Sequence, residues 1–214
     1  MSSYHELVAG SIVRADRVGI EGCDLPDAMR EHQRVATHFA LEQGRAALFL
    51  DTGLGKSLCA FAWADNVARH TGKPVLMLAP LGVLAQHQAE AERFGYAAHV
   101  CRQDLDVPLR PALCLTNYDR LAKFDPRVFG GIVLDESSII KNFSGVTTRK
   151  LMEFGAVIPF RLACTATPAP NDHMELGQHA QFLGVMSSSE MLSRWFITDQ
   201  AEMGRYRLKR QLRH

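Results

Sequence analysis

Ala46-Ala47-Leu48-Phe49-Leu50-Asp51-Thr52-Gly53-Leu54-Gly55-Lys56-Ser57 is the stretch from which the fold can be read. Its first five residues are apolar without interruption, the mark of a strand buried on both faces of a parallel sheet. After Ser57 comes a second apolar run, Leu58 to Ala64. A helix apolar on all sides packs deep against a sheet. Strand, glycine loop and helix in that order make the setting of a phosphate-binding loop. Glycines let the main chain wrap a phosphate chain, while backbone N–H groups and the helix N-terminus supply positive potential. Thr52, Gly53, Leu54 and Gly55 form the wrap, Lys56 reaches the β- and γ-phosphates, and the Ser57 hydroxyl ligates Mg²⁺. The general pattern G-x-x-x-x-G-K-[ST] asks for glycine at position 50, where this chain has Leu50. The plain alternative is a glycine-rich turn.

Working outward from that loop, apolar runs alternate with helical patterns. Strands are predicted over 46–50, 74–79, 99–101, 112–116, 131–134 and 161–164. Between them, Asp27 to Gln43 places Met29, Val35, Ala36, Phe39 and Ala40 at helical spacing, with Gly44 as a stop. A further helix is predicted from about Val83 to Phe94, closed by Gly95. Alternation of this kind predicts an α/β fold with a doubly wound, mostly parallel sheet and helices on both faces. Ligands of such sheets bind at the carboxyl ends of the strands.

A second feature of that edge is Asp135-Glu136, directly after Gly131-Ile132-Val133-Leu134. A carboxylate ending a buried strand is unfavourable unless something compensates it. Mg²⁺ held through water by Asp135 would do so, and Glu136 would then orient or deprotonate an attacking water. An acidic pair opening a surface turn is the plain alternative; beside a phosphate loop, the catalytic reading is the better one.

The bulk numbers bound these readings. A chain of 214 residues has room for one α/β domain with a real core. Its 47% hydrophobic and 22% charged residues are ordinary for a globular protein. No apolar run approaches the ~20 residues of a membrane span. The five cysteines are scattered singly, which predicts reduced thiols and a cytoplasmic setting rather than a zinc site or disulfide frame. Net charge is +1, yet Arg205, Arg207, Lys209, Arg210 and Arg213 crowd the last ten residues. Such a tail suits a phosphate backbone, or is simply a solvated end.

The order of motifs resembles the superfamily-two helicases (DEAD/DEAH-like), and within them the Swi/Snf-type ATPases and their phage or prophage relatives. Asp51–Ser57 is similar to motif I in the helicase form that tolerates Leu50. Asp135-Glu136-Ser137-Ser138, followed by Lys141-Asn142, is similar to motif II, and Arg161-Leu162-Ala163-Cys164-Thr165-Ala166-Thr167-Pro168 to motif III. Leu78-Ala79-Pro80-Leu81 resembles motif Ia, and Leu115-Thr116-Asn117-Tyr118-Asp119-Arg120-Leu121 resembles the strand-end motif that follows it. Glu175-Leu176 and Phe182-Leu183 continue the pattern.

The resemblance implies a RecA-like P-loop lobe that binds ATP and Mg²⁺ and acts on duplex or single-stranded DNA. It implies that Lys56, Asp135 and Glu136 are catalytic and that Gln33, one helix before the loop, reads adenine. Pro80, Leu81 and Asn117 would approach nucleic acid, and Thr165 and Thr167 would couple hydrolysis to that contact. The implied organisation is an N-terminal extension over 1–24, the ATP-binding lobe over 25–200 and a basic tail over 201–214. A second RecA-like lobe, with its arginine finger, is expected to be lost by truncation or supplied in trans. Because such a finger is worth roughly 10³–10⁵ in turnover, the chain alone is expected to be weak or inactive.

Two other function classes are weighed against this. A non-catalytic binding module would keep the surface without turnover. A small-molecule kinase would need a substrate lid or acceptor site, and the sequence offers neither. His173 and His179 are read as packed or solvated, Trp63 and Trp195 as packing residues, and His87 and His99 are given no role. Ser187-Ser188-Ser189 is expected to cap a helix starting near Glu190.

Overall fold

The apolar run before the glycine loop forms strand β1, Arg45–Phe49. It lies at one edge of a six-stranded sheet in this computed structural model, which describes residues 18–142, 145–168, 176–198 and 206–208. The other strands are β2 (Val75–Ala79), β3 (Ala98–Val100), β4 (Leu113–Asn117), β5 (Gly131–Leu134) and β6 (Phe160–Thr165). They stand in the order β1-β6-β5-β2-β4-β3, with every pair parallel. All six predicted strands are present, with ends displaced by a residue or so.

Parallel neighbours need crossovers, and helices supply them. They are α1 (Glu31–Gln43), α2 (Lys56–Thr71), α3 (Leu84–Arg93), α4 (Gly145–Val157), α5 (Leu176–Leu183) and α6 (Ser188–Trp195). The period-two side-chain alternation divides β2 between two cores. Val75, Met77 and Ala79 pack with α1, α2 and α3, while Leu76 and Leu78 face the layer holding α4 and α5. The expected doubly wound α/β sheet is therefore the observed one. In α2, residues 59 to 64 are buried all round, and Trp63 donates its indole N–H to the Ala40 carbonyl at 3.3 Å.

Two expectations need correction at α1. The helix starts at Glu31 rather than Asp27, because Met29 N–H closes a turn onto the Pro26 carbonyl at 3.1 Å. Val35 and Phe39, counted in the apolar helical pattern, are 61% and 52% exposed. The buried stripe is Gln33, Thr37, Ala40 and Leu41.

The expected cap at the other end of the lobe is present: Ser187 Oγ accepts the Glu190 N–H at 3.1 Å. Beyond α6, strands β7 (Phe196–Thr198) and β8 (Tyr206–Leu208) form an antiparallel pair. Part of the stretch read as a basic tail is thus a strand. At the amino side, Asp24 N–H donates to Asn66 Oδ1 at 3.0 Å and the Asn66 amide donates to the Asp24 carbonyl at 2.9 Å. Most of residues 1–24, His173, Glu175 and the end of the basic tail lie outside the described residues.

Candidate nucleotide site at the strand ends

Strands β1, β6 and β5 are neighbours and run parallel, so their carboxyl ends form one edge. That edge carries the glycine loop after β1, Thr165 to Thr167 after β6 and Asp135-Glu136 after β5. The ends of β2 (Pro80, Leu81) and β4 (Asn117) extend the same edge. The residues singled out in motifs I, Ia, II and III, with Asn117, fall there, as the strand-end rule requires.

In the loop, Gly53 and Gly55 both have φ +80°, left-handed backbone that favours glycine. At Gly53 a Cβ would meet nothing within 4 Å, but at Gly55 it would lie 2.1 Å from Gln33 Nε2. Gln33 is buried against this loop. Its amide N–H donates to the Leu54 carbonyl at 2.9 Å and its Oε1 accepts the Arg30 N–H at 2.9 Å. Among the described residues the second hydrogen of the amide has no acceptor, so Gln33 braces the loop with a donor to spare. Lys56 Nζ donates to the Leu50 carbonyl at 2.8 Å and the Asp51 carbonyl at 3.1 Å, which caps the end of β1.

Across the edge, Asp135 is held at two points. Tyr118 donates its hydroxyl to the Asp135 carbonyl at 2.6 Å, and His87 Nε2 lies 2.7 Å from Asp135 Oδ2. Burial and the neighbouring Asp135 charge push the Tyr118 phenol well above its ordinary value, which keeps it a donor. His87, given no role from the sequence, has a buried carboxylate partner here. The partner is 48 positions away in sequence, and α3 brings the two together. A usable signal existed: Leu84, His87 and Ala91 form the buried stripe of α3, and a histidine on an apolar stripe asks for a buried polar partner.

Glu136 adopts φ +51°, and its Oε1 accepts both the Ser138 hydroxyl at 2.7 Å and the Thr165 hydroxyl at 3.1 Å. Thr165 Oγ1 in turn accepts the Thr167 N–H at 3.1 Å. Thr165 is fully buried, Thr167 exposed, and Leu81 67% exposed. Asn117 is buried, with its amide N–H donating to Asp119 Oδ2 at 3.2 Å. His179, read as packed or solvated, is buried 2.9 Å from the Ser137 hydroxyl.

Mg²⁺ fits this donor set. The Ser57 hydroxyl at the head of α2 and the Asp135 carboxylate are hard oxygen donors. Asp135 Oδ1 takes no hydrogen bond from the described residues. A hard octahedral cation that keeps most of its waters needs few protein oxygens of this kind.

No family model matches the chain. It is 29% identical over 162 residues to the protein named Helicase SWR1 of Debaryomyces hansenii, a match covering 66% of this chain and 10% of that one. It is 26% identical over 203 residues to Helicase domino of Drosophila melanogaster, covering 84% of this chain and 6% of that one. Among solved structures, the Sulfolobus solfataricus SWI2/SNF2 ATPase core in complex with dsDNA aligns at TM-score 0.64 and 25% identity over 82% of this chain. The chain is similar to Swi/Snf-type ATPase cores of the superfamily-two helicases, and its sheet is that of a helicase RecA-like lobe.

The chain spans a tenth or less of the length of these relatives, and 40% of the Sulfolobus core. The UvsW helicase of bacteriophage T4, at 14% identity and TM-score 0.58, shares the fold. Among the described residues, no helix of the lobe is long and apolar enough to cross a membrane.

Proposed function

We propose that this chain, with residues 25–200 as its ATP-binding lobe, couples Mg-ATP hydrolysis to DNA binding as the first lobe of a helicase or translocase. The observation that carries the reading is the convergence of three motifs on adjacent strand ends, tied by the hydrogen bond from Thr165 to Glu136.

On this reading Thr52 to Gly55 wrap the phosphates, and Lys56 exchanges its two carbonyl partners for β- and γ-phosphate oxygens. Ser57 would hold Mg²⁺ directly and Asp135 through water, and the ion would supply neutralisation of phosphate charge. Glu136 orients the attacking water and takes its proton as the γ-phosphate bond breaks. Gln33 spends its uncommitted N–H on adenine, so base binding and loop shape are set by one side chain. Thr165 links Glu136 to Thr167, which is exposed and able to report DNA contact. The exposed Leu81, with Pro80, approaches the nucleic-acid backbone, and Asn117 supports that surface from within. The arginine finger belongs to a second RecA-like lobe, supplied in trans or by a longer polypeptide, and the lobe alone turns over slowly. The five free thiols support a reducing, cytoplasmic setting.

ATP hydrolysis with and without duplex DNA tests this, using wild type, Lys56→Ala and Glu136→Gln. Turnover that DNA stimulates and both substitutions abolish supports the whole reading. Mg-ATP binding lost in Lys56→Ala, with no turnover in wild type, supports a first lobe that needs its partner. No nucleotide binding by wild type overturns the reading in favour of a non-catalytic module.

A further inference from the structure

Asp135 is the carboxylate on which the proposed Mg²⁺ site depends, and it ends a strand whose residues 131 to 134 are all buried. A carboxylate there has two oxygens and a rotatable χ2, so nothing in β5 decides which oxygen faces the loop. The decision comes from α3. His87 Nε2 sits 2.7 Å from Oδ2, with the side chains only 8% and 14% exposed. The acceptor is a carboxylate oxygen, so Nε2 carries the proton in this hydrogen bond. The ring is fixed from its other side by Phe61, packed edge-on at 5.9 Å and 82°. His87 Nδ1 is buried without a hydrogen-bond partner. Among the described residues the ring therefore gains its polar contact only through Asp135, and a flipped ring would forfeit it.

We propose that His87 is the positioning residue for the metal-binding carboxylate: it holds Oδ2 and thereby leaves Oδ1 to accept from metal-bound water. The inference rests on the proposed Mg-ATP reading of this edge. Partners that orient a metal ligand from behind typically account for about 10–100-fold in metal affinity or activity. Tyr118 fixes the Asp135 main chain and His87 its side chain, so together they fix the residue at both ends.

The test uses the full chain and reads binding of a fluorescent ATP analogue while Mg²⁺ is titrated, for wild type, His87→Gln and His87→Asn. Glutamine carries its N–H at about the reach of Nε2, whereas asparagine is too short. A role in packing alone treats the two amides alike. The expected result is a Mg²⁺ midpoint near wild type for His87→Gln and raised about tenfold or more for His87→Asn. Analogue binding in EDTA should be equal for all three proteins. Melting temperatures identify a variant that fails to fold, in which case a folded His87→Leu takes its place with the same expectation as His87→Asn. Equal midpoints for wild type and His87→Asn or His87→Leu overturn the inference while leaving the nucleotide site intact. A wild type whose analogue binding ignores Mg²⁺ overturns the Mg-ATP reading, and the inference with it.

Discussion

Thr165 donates its hydroxyl to Glu136 Oε1 at 3.1 Å, so the ends of two adjacent strands, β6 and β5, meet on one carboxylate oxygen. The same Thr165 oxygen accepts the Thr167 N–H at 3.1 Å. A shift of the exposed Thr167 main chain therefore reaches Glu136 through one side chain.

Thr165→Val is predicted to remove this link at nearly constant volume. Stability should fall by about 1–3 kcal/mol, because the hydroxyl's bonds to Glu136 and to the Thr167 N–H are both lost. ATP affinity should hold, while turnover falls about tenfold if the bond to the charged acceptor contributes about 1.4 kcal/mol to barrier lowering. Separate measurements of nucleotide affinity and turnover check it; a parallel loss of both would contradict the coupling role.

The two loop glycines are predicted to differ. Gly53→Ala meets open space and bears only the left-handed backbone strain, about 1 kcal/mol. Gly55→Ala adds a clash with Gln33, which must then leave the Leu54 carbonyl. Its loss of stability should exceed that of Gly53→Ala by about 1–3 kcal/mol, measured by urea denaturation. Equal losses would mean that Gln33 does not brace the loop.

Arg161 opens β6 and is buried without a carboxylate, donating to the carbonyls of Ile158, Phe182 and Ala156 at 2.9, 2.9 and 3.1 Å. It ties the carboxyl ends of α4 and α5 to the sheet. Burial, with Arg45 nearby, lowers its pKa to about 10. Arg161→Met should destabilise by about 3 kcal/mol because three carbonyls lose their donor. A loss under 1 kcal/mol in chemical denaturation would contradict that accounting.

Alkaline pH is predicted to unfold the lobe. Burial raises the Cys59 and Cys164 thiols above their ordinary 9.0, and the Tyr96 phenol from 10.0 to about 12. These acids keep their protons longer when folded than when unfolded. Their stabilisation is complete below pH 9 and declines as pH rises above it, because the unfolded chain then binds fewer protons. Arg161 works in the opposite direction above pH 10. Denaturation midpoints between pH 8 and 11 should fall, and a flat profile would contradict the buried thiols' contribution.

The sheet and the loop were legible because apolar runs and glycines are local signals. Val35 and Phe39 misled because hydrophobicity alone drew the α1 stripe. The face that packs inward carries Gln33 and Thr37, whose polar groups meet partners that only the fold supplies. His87 and Arg161 were passed over for the same reason. Their partners are a carboxylate 48 positions away and carbonyls at two helix ends, none of which has a spacing to read. Motif order revealed Asp135 and Glu136, but not the Ser138 and Thr165 hydroxyls that hold Glu136.

The central claim is that the edge formed by β1, β6 and β5 binds Mg-ATP. Equilibrium binding of ATP to the full chain, with Mg²⁺ and with EDTA, tests it most directly when wild type is compared with Lys56→Ala. The account predicts saturable binding that Mg²⁺ strengthens and Lys56→Ala weakens at least tenfold, with an unchanged melting temperature in the absence of nucleotide. Binding of equal strength in wild type and Lys56→Ala, or none in wild type, would contradict it.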